Sequence, residues 1–205
     1  MPKHHRIVVG ITGASGFIYG VYALRMLKAL EIETHLIVSK AAQLTRSHET
    51  DFSYKQVAQF ADAVYRPDDI GAPISSGSFK TLGMLVAPCS VRTLSEISSG
   101  VTSSLLSRAA DVCLKERRRV VLMLRETPLH TGHIRSMLAV SEMGAIVFPP
   151  VPAFYQRPVS IHDIVAHSVA RALDLFDLEV PDTPRWGEEM RAENASARKD
   201  ATPVS

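Results

Sequence analysis

The sequence predicts a single-domain α/β fold: a doubly wound, mostly parallel sheet covered by helices on both faces, in three αβα layers. Three observations carry this expectation. Strand-length apolar runs alternate with helix-period runs from Arg6 to about Phe176. Two of the strands open at their carboxyl ends into turns rich in Gly, Ser and Thr, the place where open parallel sheets bind ligands. A chain of 205 residues, 46% of them hydrophobic, fills one sizeable core, whereas two complete domains would be crowded.

The first element, Arg6-Ile7-Val8-Val9-Gly10-Ile11, is a buried strand that breaks into Thr12-Gly13-Ala14-Ser15-Gly16. An amphipathic helix follows, with Phe17, Val21, Leu24, Leu27 and Leu30 at helical spacing. Glycines let the backbone approach an anion, the first helical N–H groups point at it, and Thr12 and Ser15 add hydroxyl donors, so a phosphorylated cofactor is expected here. A tight turn without a ligand favours the same residues. The spacing is G-x-x-G-x-x-G rather than the dinucleotide G-x-G-x-x-G, no Gly-Lys-Ser/Thr follows, and G-x-S-x-G is absent.

Glu33 to Val38 reads as the second strand, and it ends in Ser39-Lys40 where an NAD enzyme carries an acid for the ribose diol. A hydroxyl and an ammonium suit a phosphate or a flavin's polar edge, so a mononucleotide such as FMN fits better than NADP. A second helix runs from Lys40 to about Ser47. Residues 48–83 are less regular, with a short strand near Ala63-Val64-Tyr65 and a run, Ala72 to Phe79, too small and polar for core. Leu82 to Ala87 is the next strand, opening into the hydroxyl-rich turn Pro88-Cys89-Ser90-Val91-Arg92-Thr93. Then come a helix from about Ser103 to Glu116, strand Val120 to Leu124 ending in Arg125-Glu126, helix 130–143, strand Ala145 to Phe148 and helix 160–176. From about Asp177 the chain turns polar, so the domain is expected to span 1–190, with 191–205 a tail of disordered composition.

A net charge of +2 is too slight for a nucleic-acid footprint, and the basic run Lys115-Glu116-Arg117-Arg118-Arg119 also reads as a solvated helix end. Two cysteines, Cys89 and Cys113, form no C-x-x-C pair, and no N-terminal apolar stretch resembles a signal peptide or a membrane span. A reduced, cytoplasmic protein without a membrane partner is expected. His130-x-x-His133 has metal-ligand spacing, but it lacks cysteine partners and stands at a helix start, so no metal is expected.

Further matches occur in order between residues 6 and 188. Gly13-Ala14-Ser15-Gly16, Ser39-Lys40-Ala41-Ala42, Glu49-Thr50, Ser75-Ser76-Gly77-Ser78 and Pro88-Cys89-Ser90 are followed by Arg108-Ala109-Ala110-Asp111-Val112 and Lys115-Glu116-Arg117-Arg118. Arg125-Glu126-Thr127-Pro128, Pro152-Ala153-Phe154-Tyr155 and Pro184-Arg185-Trp186-Gly187 complete the set. With these segments the chain resembles the UbiX-type flavin prenyltransferases.

The resemblance implies a flavodoxin-like fold, a dodecameric homo-oligomer with flavin at subunit interfaces, and metal-independent transfer of a dimethylallyl group from dimethylallyl monophosphate to N5 and C6 of reduced FMN. The product, prenylated FMN, serves UbiD-type decarboxylases. It also implies flavin contacts at Gly13, Ala14, Ser15, Ser39, Ser90, Val91, Arg92, Thr93 and Arg125, with Ser15 meeting N5. Lys115, Arg125, Tyr155 and Arg171 would hold the prenyl phosphate, Glu126 would exchange a proton there, Glu49 would orient Ser15 or manage protons near the flavin, and Trp186 would cover the prenyl pocket. Each has an ordinary alternative: a helix-end carboxylate for Glu126, an interface aromatic for Tyr155, a surface ion pair for Arg171, plain packing for Trp186.

Ser103-Ser104 stands where many members carry Asp-Asn, and Ile70 lies near a position where some place Trp. The rival classes are an FMN-dependent decarboxylase of peptidyl cysteine, an electron-transfer flavodoxin and an FMN-binding accessory subunit of an aromatic acid decarboxylase. The first needs a catalytic His near the flavin and a substrate-clamping loop, neither evident here; the second is commonly acidic and aromatic-rich at its flavin.

Overall fold

A computed structural model describes residues 5–181 and residue 183. The expected tail 191–205 and Trp186 lie outside the described residues. Six strands form one sheet: β1 (Arg6–Ile11), β2 (Glu33–Val38), β3 (Ala63–Tyr65), β4 (Gly83–Cys89), β5 (Arg119–Leu124) and β6 (Ile146–Val147). Their order is β3-β2-β1-β4-β5-β6 and every pairing is parallel. This is the doubly wound order of dinucleotide-binding sheets, with its direction of winding reversing between β1 and β4. The two Gly/Ser/Thr-rich segments singled out in the sequence lie at the carboxyl ends of those two strands.

The helices are α1 (Phe17–Ala29), α2 (Lys40–Glu49), α3 (Tyr54–Ala58), α4 (Val91–Ser99), α5 (Leu105–Lys115), α6 (Thr131–Glu142) and α7 (Ile161–Asp174). Strand alternation divides the core in two. Ile7, Val9 and Ile11 face Phe17, Leu24 and Leu27 of α1 and Val169 and Leu173 of α7. Val8, Val86 and Leu122 face Leu94, Leu105, Ala109 and Val140 on α4, α5 and α6. Covered on both sides, β4 is buried along its whole length, which is why its sequence is continuously apolar rather than alternating.

Three features depart from the sequence expectation. Helix α4 occupies the segment read as a turn, capped by the Ser90 side chain at its start and by left-handed Gly100 at its end. Helix α3 stands in the irregular stretch, its first turn closed by a reciprocal Ser53–Gln56 capping box. Ala72 and Ile74 in the turn-rich run are 4% and 3% exposed and belong to the second core cluster, so this loop is anchored and not wholly surface.

Candidate active site

The turn after β1 is fastened to the turn after β4 by Thr12, which is 1% exposed. Its N–H and hydroxyl both donate to Pro88 O, at 3.2 and 2.8 Å, and the hydroxyl oxygen accepts from Ser90 N at 2.8 Å. Thr12 is thus spent on structure, and the sequence expectation of a ligand-facing hydroxyl is corrected. Gly16 caps α1 with φ 101°, a left-handed conformation that favours glycine.

The start of α1 is already filled by a carboxylate from α2. Glu49 Oε2 accepts from Gly16 N at 2.8 Å and from Phe17 N at 3.0 Å. An anion at this helix end is what its dipole favours, but the anion is a side chain and not a cofactor phosphate as the sequence suggested. Burial pushes the Glu49 carboxyl up, yet the Ser15 hydroxyl, the N–H groups of Phe17 and Gly16 and the Arg125 guanidinium outweigh it and hold the carboxyl below its ordinary value. Burial raises the phenol of Tyr19, and Arg125 opposes it. Ser15, Glu49, Tyr19 and Arg125 therefore form one group at the carboxyl edge of the sheet. Arg125 reaches it because its backbone N–H donates to Cys89 O at 3.0 Å, fixing the end of β5 against β4.

Beside this group a cleft of about 310 Å³ is bounded by Gly13, Ser39, Lys40, Ser90, Arg92, Thr93 and Ser104, among others. Three helices begin on it. Ser39 Oγ accepts from Ala42 N at 3.1 Å on α2, Ser90 Oγ from Thr93 N at 3.3 Å on α4, and Ser104 Oγ from Ser107 N at 3.3 Å on α5. Each cap satisfies one backbone donor and leaves the earlier ones, which have no acceptor within the helix, at the cleft. Lys40 adds an ammonium, and Arg92 a guanidinium whose Nε donates to Glu96 at 3.0 Å. Capped helix ends with cations beside them suit a phosphate, and the volume lies at the lower end for a small-molecule pocket. Gly13 is needed for packing: a Cβ there would stand 2.5 Å from Ala41 Cβ, so only glycine lets the first turn lie on α2.

Of the expected flavin contacts, Gly13, Ser39, Ser90, Arg92 and Thr93 meet on this cleft; Ala14 and Ser15 lie in the adjoining turn, and Val91 is the first residue of α4. The expected phosphate cations do not meet within one chain. Lys115 ends α5, four residues before β5 begins, while Arg125 follows the end of β5. Six strand residues separate the two edges, about 20 Å at about 3.3 Å per residue. Arg171 lies late in α7 on the opposite helical layer and pairs with Asp174; the chain just beyond reaches the start of β5, where Arg119 Nη1 and Asp177 Oδ2 are 2.6 Å apart. Tyr155 stacks edge-on against His167, 6.0 Å between centroids, on the same helix as Arg171 and one turn before it. Glu126 is exposed, and its Oε1 accepts from Thr127 N at 3.0 Å.

Asp68, Glu96 and Leu106 on the cleft escaped the sequence reading, as did Tyr19. Lys40, expected from the sequence as an ammonium for a phosphate or a flavin's polar edge, does line the cleft, as the first residue after the Ser39 cap. Asp68 comes from a loop with no motif. Burial pushes Cys89 up to about 12 and Cys113 up to about 11, which removes both as nucleophiles. His130 accepts from Gly132 N at 3.0 Å and lies 3.6 Å from His133, centroid to centroid. Among the described residues no three His, Cys, Asp or Glu side chains gather to hold a metal, and no helix is long and apolar enough to cross a membrane.

Residues 1–173 match the family described as Flavoprotein. The chain is 56% identical over 181 residues to the flavin prenyltransferase UbiX of Neisseria meningitidis serogroup B, covering 88% of this chain and 96% of that one. The crystal structure of AnUbiX in complex with FMN and dimethylallyl pyrophosphate matches with a TM-score of 0.89 and 51% identity, over 90% of this chain and 98% of that one. A dodecameric FMN-dependent UbiX-like decarboxylase from Escherichia coli O157:H7 matches with a TM-score of 0.86 and 50% identity, over 88% and 98%.

Proposed function

The chain belongs to the flavin prenyltransferase family of flavoproteins, and from that premise we propose that it moves a dimethylallyl group from dimethylallyl monophosphate to N5 and C6 of reduced FMN. The observation that carries the reading is the convergence of three capped helix starts, Lys40 and Arg92 on one cleft beside the Ser15–Glu49–Arg125 group. FMN bound there supplies the nucleophilic atoms of the reaction.

The chain's own residues do the rest. The starts of α2 and α4, with Ser39, Ser90, Val91, Arg92 and Thr93, hold the flavin phosphate, and Gly13, Ala14 and Ser15 line its polar edge. Glu49 accepts the Ser15 hydroxyl and so fixes it toward N5. Arg125, Lys115, Arg171 and the Tyr155 phenol hold the prenyl phosphate. As the allylic C–O bond breaks, negative charge grows on that phosphate, and fixed cations stabilise the transition state more than the ground state. Glu126 exchanges a proton with the phosphate, and Trp186 covers the prenyl chain.

Since one chain keeps Lys115 and Arg171 away from Arg125, the complete site is shared between copies. The dodecamer of the E. coli relative supports this assembly. We place the oligomer in the cytoplasm, where two unpaired, buried cysteines are at home, and residues 1–190 as one flavoprotein domain that hands prenylated FMN to a UbiD-type decarboxylase.

The test is anaerobic incubation of the purified protein with reduced FMN and dimethylallyl monophosphate. Prenylated FMN by mass supports the enzyme, while bound but unaltered FMN supports an accessory subunit. Arg125→Met removes a charge-assisted bond to the leaving phosphate and is expected to lower turnover about ten- to a hundredfold.

A further inference from the structure

Helix α5 ends in a network that the mechanism above does not use. Arg117, at φ 56°, turns the chain in a paired closure: its N–H donates to Leu114 O at 3.0 Å, and Arg118 N–H donates to Cys113 O at 2.8 Å. The turn sends the Arg118 side chain back onto the loop before β4. Its Nη1 donates to Phe79 O at 2.7 Å and its Nη2 to Gly77 O at 2.6 Å. The same Nη2 lies 3.9 Å from Glu116 Oε2, and Glu116 Oε1 accepts from Lys115 Nζ at 2.6 Å.

Neighbouring residues at a helix end do not face each other, so helix geometry alone does not bring Lys115 onto Glu116. The loop supplies the missing restraint. A methyl group on Gly77 would stand 2.2 Å from Glu116 Oε1 and 2.9 Å from Lys115 Nζ, so the ion pair lies in the room this glycine leaves. Lys115 and Glu116 are 47% and 36% exposed, and a pair so open to water adds little stability. Its effect is directional. A lysine has a long flexible stem whose freedom is lost when it grips an anion, and a lysine already aimed loses less.

We propose that Glu116, held by Arg118 and the loop at Gly77 to Phe79, is a positioning residue for Lys115. It aims the ammonium for the prenyl phosphate bound in a neighbouring copy, and Arg118 offsets the charge that the carboxylate brings near that phosphate. The inference rests on the reading of Lys115 as a phosphate ligand.

Full-length Gly77→Ala, Glu116→Ala, Glu116→Gln and Lys115→Met proteins test it through kcat, KM for dimethylallyl monophosphate, FMN affinity and thermal midpoint. Gly77→Ala displaces Glu116 without deleting it and asks for no unusual backbone. It and Glu116→Ala are expected to lower kcat/KM for dimethylallyl monophosphate about tenfold, with FMN affinity within about twofold of wild type and the thermal midpoint unmoved. Glu116→Gln keeps an acceptor oxygen for Lys115 and is expected to recover most of the loss. If Lys115→Met lowers kcat/KM while Gly77→Ala and Glu116→Ala leave it unchanged, the positioning role is overturned and the Lys115 reading stands. If Lys115→Met leaves kcat/KM unchanged, the Lys115 reading fails and takes this inference with it. Parallel losses in FMN affinity and thermal midpoint reduce Glu116 to a structural part and overturn the proposal.

Discussion

Glu49 joins the fold to the chemistry through a single carboxylate. It closes the start of α1 by accepting from Gly16 N and Phe17 N, and it holds the Ser15 hydroxyl. Glu49→Gln keeps the shape and removes the charge, so it is expected to cost about 1 kcal/mol of stability, the usual scale of a helix cap. The folded protein holds this carboxyl below its ordinary value. Its stabilisation is therefore full above the unfolded pKa of about 4.3 and is lost as pH falls through the folded value. Denaturant unfolding from pH 7 to 3 checks the sign: wild type should lose more stability over the acid limb than Glu49→Gln. Equal pH slopes would remove Glu49 from this role. The pairing joins residues 33 apart in sequence, and no local pattern announces it. The sequence therefore led to the right loop and the wrong anion, because an empty helix start and one filled by a distant side chain look alike in the chain.

At the level of elements, the hydroxyls in the two turns act first as caps. Ser39 and Ser90 start α2 and α4 on the same cleft. Ser39→Ala and Ser90→Ala are each expected to lower stability by about 1 kcal/mol and to weaken FMN binding, whereas Ser53→Ala at the remote helix α3 should lower stability alone. Thermal unfolding with and without FMN separates the two effects, and unchanged FMN affinity in all three variants would contradict a phosphate site at these helix ends. Continuous apolar runs of strand length and period-3.6 patterns made most of the sheet and α1, α5, α6 and α7 legible from sequence. Helix α4 was not, since its Val91–Ser99 segment has five Ser, Thr or Arg side chains and only Leu94 and Ile97 as buried apolar anchors. Its Ser90 start was visible; the helix behind it depends on packing against the sheet, not on propensity.

For the whole molecule, chain direction decides where the cations go. In a parallel sheet each crossover helix runs back from the carboxyl edge to the amino edge, so a residue at the end of a helix lies at the far side from one at the end of a strand. Lys115, last in α5, and Arg125, just after β5, are only ten positions apart in sequence yet at opposite edges. The motifs were legible and their separation was not, because motifs carry no edge until the helices are given their direction. The central claim is that the prenyl phosphate site is completed by a second copy. It is tested most directly by co-expressing Lys115→Met and Arg125→Met chains, each impaired alone, and measuring prenylated FMN formed by the mixed oligomer. A shared site predicts recovered activity, since some interfaces then carry both intact residues. Activity no higher than that of the single variants, from a mixed oligomer that forms and binds FMN normally, would contradict it.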